Sequence, residues 1–189
     1  MKPLEPWEAR WAPYDEPTYQ TALNYVQPDD VVLDIGAGDL RLTRQMAKIA
    51  RRVYALERQP AILANQSPWP ANMTVICADA RNIPWPPHIT VGVLMMRHCT
   101  HFAEYGARLR QLGCHRLITN ARWGMDVELM DFNTAIPWHN QIIGWYACWC
   151  GRVDFSPTSP AALTEAHLEQ VTQVTHCPIC SIKPLANTN

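Results

Sequence analysis

The chain has 189 residues, 48% of them hydrophobic and 17% charged, and a formal net charge of −1. Such a composition suits one domain of ordinary size with a small appendage and excludes a disordered chain. The balanced charge gives no bulk electrostatic sign of a nucleic-acid binder, and no run approaches the ~20 apolar residues of a membrane helix.

The first segment, MKPLEPWEARW, lacks the apolar core of a secretory signal, so the expected setting is the cytoplasm. In that setting the seven cysteines are expected as thiols or metal ligands rather than disulfides. Tyr19, Ala22, Leu23 and Val26 recur at helical spacing with Pro17 in the first turn, which predicts an amphipathic helix. VVLDI is a short apolar run ending at glycine and reads as a buried strand. Leu42, Met46 and Ile49 give a second helix, and Arg41, Arg44, Lys48, Arg51 and Arg52 read as its solvated face. RVYALE, MTVICAD and TVGVLMM follow as three more strands. Phe102, Tyr105, Leu109 and Leu112 predict a helix stopped by Gly113, and HRLITN a fifth strand.

Alternating strands and helices predict a Rossmann-like α/β fold, a mostly parallel central sheet with helices on both faces. The rhythm holds over about residues 17–122, and residues 1–135 are expected to form that domain. In residues 136–189 the pattern changes. QIIGWYACWCGRVDFSP reads as two strands around a cysteine turn. A helix starts near Thr164, with Leu163 and Leu168 at staple positions, and the chain then reaches HCPIC.

The glycine turn after the first strand lets a ligand approach the backbone closely. Gly36 and Gly38 fit the first two places of G-x-G-x-x-G, but Arg41 stands in the third, and no Gly-Lys-Ser/Thr follows for a P-loop. Asp34, two residues before the turn, would repel a pyrophosphate by an order of ~1 kcal/mol or more. It favours a ligand with positive charge. Glu57 ends the second strand, 19 residues past Gly38, where a carboxylate accepts both ribose hydroxyls. Asp79 follows the third strand and accepts from an exocyclic amine. A cationic amino-acid end, a ribose and an adenine together describe S-adenosylmethionine.

At these residues the sequence resembles the class I S-adenosylmethionine-dependent methyltransferases. DIGAGDL resembles their first motif, ALE their acidic second-strand motif and ADA their third. The run DIGAGDLRLTRQMAKIARRVYALE is similar to the ribosomal RNA adenine dimethyltransferase branch. The resemblance covers residues 31–97 and implies cofactor binding by Asp34, Gly36, Gly38, Glu57, Asp79 and Ala80. It also makes RNA the first acceptor to consider. Leu40 departs from the family, which often carries a third glycine there.

Beyond the fourth strand, amino-group adenine methyltransferases carry an (Asp/Asn)-Pro-Pro-Tyr tetrapeptide. This chain has MMRHCTHF instead, which leaves protein and small-molecule acceptors open. Arg97 and His98 are the candidate catalytic residues, His98 as a general base and Arg97 as a clamp on an acidic acceptor. Tyr14 and Tyr19 sit where relatives often fold over the cofactor. Asn120, Arg122 and Trp123 are candidates for the acceptor pocket.

CWCG and CPIC place Cys148, Cys150, Cys177 and Cys180 in two close pairs. Four thiolates suit a structural zinc, with iron second, and His176 is a substitute ligand. A redox role is set against the placement of the second pair, which is expected to follow a helix rather than open one. Cys77, Cys99 and Cys114 are expected as small buried thiols. The rival reading is a catalytically silent protein of this fold, serving as a zinc-bearing interaction module.

Overall fold

Strand β1 (Val31–Ile35) is buried along its whole length, as a central strand covered on both faces must be. In the computed structural model, which describes residues 13–64, 66–123 and 126–182, β1 pairs in parallel with β2 (Arg52–Glu57) and β4 (Val91–Leu94). β3 (Met73–Cys77) adds to β2 in parallel, and β5 (Arg116–Thr119) adds to β4. An antiparallel strand, β6 (Glu128–Asp131), closes that edge and gives the order β3-β2-β1-β4-β5-β6. Strand order reverses between β1 and β4, so a crevice opens there at the carboxyl ends. The amino-terminal segment read for a signal lies outside the described residues, as do Gly124 and Met125 of the loop after β5.

Alternation along the strands feeds two cores. Val32, Val93 and Ile118 face helices α1 (Glu16–Leu23) and α2 (Arg41–Met46), through Ala22, Leu23, Leu42 and Met46. Leu33, Ile35, Leu94 and Leu117 face helix α4 (Phe102–Gln111) through Phe102, Tyr105 and Leu109. Asp15 caps α1 by accepting from the Thr18 N–H, and Pro17 sits in the first turn. Gly92 lets α4 approach: a Cβ there would lie 2.5 Å from Leu109 Cδ1. A single turn, α3 (Pro60–Leu63), follows β2. Leu42 and Met46 are buried as expected, but α2 stops before Ile49, which is 37% exposed.

The second sheet has three strands in the order β8-β7-β9, with β7 (Gly144–Cys148), β8 (Val153–Ser156) and β9 (Val171–Val174). The first two are the strands expected around the cysteine turn; β9 escaped sequence reading. Helix α5 (Glu165–Glu169) starts at Thr164, whose hydroxyl and the His167 ring form a reciprocal cap. Leu168 is 54% exposed, so the expected staple contributes little. The small sheet docks against the large one. The buried Arg122 side chain donates to Glu128 Oε1 and Oε2 (2.7 and 2.6 Å), to the Cys148 carbonyl (3.2 Å) and to Gln173 Oε1 (2.9 Å). Trp149 packs edge-on to Phe132 and lies 4.0 Å from the Arg110 guanidinium. Among the described residues no helix is long and apolar enough to cross a membrane.

Candidate active site

A cleft of about 580 Å³ opens at the carboxyl ends of β1 to β4. Its floor is the turn after β1. The N–H groups of Gly36 and Ala37 both donate to the Leu56 carbonyl (2.8 and 2.9 Å), which folds the turn back over β2. Gly36 has a φ of 76°, so the backbone favours glycine, and a Cβ there would lie 2.9 Å from Met96 Sδ, the flexible end of a side chain. Leu40, the departure from the family pattern, keeps the left-handed backbone a glycine would take, at φ 66°, while its side chain is fully buried.

Asp34 lines the cleft yet is only 3% exposed. Burial pushes its carboxyl up, the hydrogen bond from Thr43 Oγ1 (2.5 Å) pulls it down, and the neighbouring Glu57 raises it again, to about 7. Glu57, 6% exposed, is fixed by two backbone donors: Gly38 N–H to Oε2 (2.9 Å) and Gln59 N–H to Oε1 (2.8 Å). Each oxygen keeps a lone pair for a ligand hydroxyl. Gly38 itself is buried behind the wall, and its role is to hold Glu57.

Asp79 faces the same cleft from the end of β3. Hydrogen bonds from Arg81 (Nη2 to Oδ2, 2.6 Å) hold its carboxyl below the usual carboxylate range, with Arg58 3.9 Å away adding to the effect. Ala80 lines the wall beside it, and its carbonyl accepts from the Trp85 indole (2.8 Å) and from Arg108. Arg108 also stacks 4.1 Å from the Trp85 ring centroid and donates to the Ile83 carbonyl, so this loop is tied to α4. Nothing in the sequence pattern signals Thr43, Trp85 or Arg108, because their partners are 5 to 28 residues away along the chain. Arg81 was legible in principle, two residues after Asp79 in one tight turn.

The two candidate catalytic residues separate. Arg97 lines the cleft; His98, in the same turn, takes a left-handed backbone (φ 61°), is exposed and is not part of the wall. His101 stands in the wall instead, with Nε2 2.8 Å from Arg81 Nη1 and Nδ1 3.3 Å from Glu104 Oε2. A guanidinium only donates, so Nε2 accepts and the ring proton is assigned to Nδ1. Tyr14, Asp15 and Tyr19 close the near end of the cleft. Asn120, Arg122 and Trp123 do not line it: Asn120 is buried with neither amide atom partnered, Arg122 serves the inter-sheet network, and Trp123 packs against Trp145.

Remote from the cleft, the four cysteines of the small sheet converge. Sγ of Cys148 lies 3.8 Å from that of Cys180, Cys150 lies 3.8 Å from Cys177, and Cys177 lies 3.7 Å from Cys180. All four sulfurs fall within 4.8 Å of one another, the single such group of ligating side chains among the described residues. His176 is exposed and bonded to Thr175, outside the group. The expectation that CPIC follows a helix was wrong: strand β9 precedes the pair, and α6 (Pro178–Ile182) starts within it. The four-sulfur grouping, not the position relative to a helix, therefore distinguishes it from a two-cysteine redox pair. Of the three remaining thiols Cys114 is buried and Cys99 half-buried, but Cys77 is exposed, because β3 is an edge strand.

Sheet order, glycine turn and three acidic strand tips make a Rossmann-like fold similar to that of the class I S-adenosylmethionine-dependent methyltransferases, and residues 33–117, less than half of the chain, match the family model of a methyltransferase domain. Over 64 residues the chain is 41% identical to the probable ribosomal RNA small subunit methyltransferase A of Pyrococcus furiosus, a stretch covering 32% of this chain and 23% of that protein. The chain thus spans less than a quarter of this curated relative. Two solved structures are similar over part of their length. Precorrin 8w decarboxylase from Methanobacterium thermoautotrophicum is 24% identical, covering 58% of this chain and 64% of its own, with a TM-score of 0.44. A dimethyladenosine transferase from Plasmodium falciparum is 16% identical, covering 56% and 41%, with a TM-score of 0.48.

Proposed function

We propose that this protein is an S-adenosylmethionine-dependent methyltransferase, with the cofactor along the tips of β1 to β3 and the acceptor at the mouth beside β4. The single observation that carries this reading is the convergence of Asp34, Glu57 and Asp79 on one cleft. Asp34 faces the cationic amino-acid end, Glu57 the ribose diol, and Asp79 with Ala80 the adenine. Gly36 leaves room for the ligand against the turn. When bound, the cofactor would supply a methyl carbon on a sulfonium for an acceptor lone pair, with the carbon–sulfur electron pair kept by sulfur and the acceptor's proton leaving to solvent at the cleft mouth. The chain aligns the partners and excludes bulk water with Tyr14, Met95, Met96 and Tyr105, all in the cleft wall. RNA is the first acceptor class, supported by the name and identity of the Pyrococcus furiosus relative.

The cysteine group fits a structural zinc. Tetrahedral zinc–thiolate bonds of about 2.3 Å imply sulfur–sulfur edges of about 3.8 Å, and three of the separations are 3.7 to 3.8 Å. Cys148, Cys150, Cys177 and Cys180 would hold the ion, with no position left for substrate. Its part is to tie α6 and the cysteine turn together.

Calorimetry with S-adenosylhomocysteine tests the cofactor site. One-to-one binding is expected, weakened about tenfold or more in Glu57→Ala, which loses the diol acceptor. Transfer of labelled methyl from S-adenosylmethionine into the RNA fraction of a deletion strain tests the acceptor class. Binding without transfer into RNA, protein or metabolites would replace the enzyme by the silent relative.

A further inference from the structure

The acidic side of the cleft has its own cations: Arg41 pairs with Asp39, and Arg58 and Arg81 both reach Asp79. Arg97 differs. It stands at the end of β4, across the crevice from those pairs, and none of the ion pairs among the described residues includes it. Its guanidinium carbon lies 4.6 Å from the Tyr14 ring centroid, and its backbone N–H donates to the Tyr14 hydroxyl (3.2 Å). That hydroxyl group's tyrosine is anchored in turn, since the Tyr14 N–H donates to Tyr19 (3.0 Å). The residue is therefore held at both ends.

Stacking on an aromatic face occupies the faces of a guanidinium and leaves its in-plane donors unused. Arg97 Nε is one of these; it is buried and has no hydrogen-bond partner among the described residues. Leaving a charged donor unpaired out of water costs more than the ~1–3 kcal/mol of a neutral group, so a ligand atom is the expected partner. Asp15 feels the charge of Arg97 electrostatically, but its carboxylate is exposed and caps α1 through Thr18.

We infer that Arg97, stacked on Tyr14, forms an oxyanion subsite that grips a phosphate or carboxylate of the methyl acceptor. The inference rests on the methyltransferase reading for the identity of that ligand. A planar fork and a two-oxygen anion match edge to edge, so the subsite orients the acceptor as well as attracting it. It also gives a role to the residue that stands where the family tetrapeptide is missing: the acceptor is located by its anionic group, not by an amine held between a carbonyl and a ring.

The test uses protein labelled with ¹⁵N-arginine and saturated with S-adenosylhomocysteine, with the Arg97 Nε–H resonance assigned by Arg97→Lys. Inorganic phosphate, acetate and a short single-stranded RNA are titrated in separate arms. A saturable shift of that resonance is expected with phosphate or acetate, with an apparent affinity about tenfold weaker in Tyr14→Leu, which removes the stack. Competition by the RNA assigns the oxyanion to a phosphodiester; binding of the small anions without competition assigns it to a small acceptor. A resonance unmoved by all three probes, in protein that still binds S-adenosylhomocysteine, overturns the subsite and leaves the cofactor reading standing. Failure to bind S-adenosylhomocysteine removes the cofactor reading, whereas the phosphate arm still reports on Arg97. Arg97→Lys, which keeps the charge but not the fork, is expected to bind phosphate more weakly than the parent chain while melting at the same temperature.

Discussion

Asp34 carries a pH signature because it is a carboxyl buried beside another. Its pKa is raised from an ordinary 3.8 to about 7 by burial first. Between those values the folded chain keeps a proton that the unfolded chain has released, so this group's contribution to stability is full on the acid side and lost as pH rises through 7. Cofactor binding has the opposite slope. A cation is drawn to the ionised carboxylate, so affinity for S-adenosylmethionine is expected to rise between about pH 5.5 and about pH 8 and then level off. Asp34→Asn should flatten both curves, read by calorimetry and by thermal melts across that range. Leu40 sets a backbone preference against burial. Glycine would relieve about 1 kcal/mol of left-handed strain, while deleting a fully buried leucine costs about 2–5 kcal/mol. Leu40→Gly is therefore expected to lower stability by about 1–4 kcal/mol in urea unfolding. At this scale the sequence was informative for acids at strand tips, since a strand end fixes where its side chain emerges. It was silent on partners such as Thr43 and Arg108, which folding alone brings into contact, and on the turn that puts Arg97 in the wall and its neighbour His98 outside it.

Elements built on local signals were readable, and those that need a neighbour were not. β1 and β2 have the bounds their sequence runs and flanking turns implied; β1 is buried along its whole length, and β2 keeps Arg52 and Tyr54 half-buried. β6 (ELMD) and β9 (VTQV) carry four residues each with mixed polarity; their pairing with β5 and β7 makes them strands. α2 was over-extended because Ile49 continues a helical spacing that the turn at residues 47–50 interrupts. The junction between β4 and α4 is the tightest test of the packing. At Gly92 a methyl group would meet Leu109 Cδ1 at 2.5 Å, in a core with no slack. Gly92→Ala is expected to destabilise by about 1–3 kcal/mol. The double variant with Leu109→Ala should cost less than the sum of the two single changes, since the smaller side chain removes the clash that the first creates. A double-mutant cycle by urea unfolding measures that coupling, and strict additivity would mean that Gly92 is not what sets the distance between α4 and the sheet.

Across the whole molecule the two sheets divide the labour. Among the described residues the cleft wall falls between Pro13 and Tyr105, whereas the four thiols of the cluster fall between Cys148 and Cys180. The sequence rhythm changes beyond about residue 122, but the docking between the sheets did not show there, since nothing in the pattern pairs Arg122 with Cys148 and Gln173 or Arg110 with Trp149. Arg122 is the principal tie. Its buried guanidinium neutralises Glu128 in the large sheet and holds the Cys148 carbonyl and Gln173 of the small one. Four crowded thiols cannot all ionise without a cation, since each thiolate raises its neighbours; the Cys148 thiol is pushed up by its hydrogen bond with Cys150 and by burial. Removing the proposed metal should therefore loosen the small sheet first. With a chelator, or in Cys148→Ser, amide exchange is expected to accelerate across β7, β8 and β9 while β1, β2 and β4 stay protected. Affinity for S-adenosylhomocysteine should change less than about threefold, because no ligand of the metal touches the cleft. Arg122→Met strikes the other side of the same junction. It leaves Glu128 with its charge uncompensated and is expected to cost about 3–5 kcal/mol, again with little effect on cofactor binding. If metal removal or Arg122→Met instead abolishes cofactor affinity while β1 and β4 remain protected, the sheets are coupled through the site and the division fails.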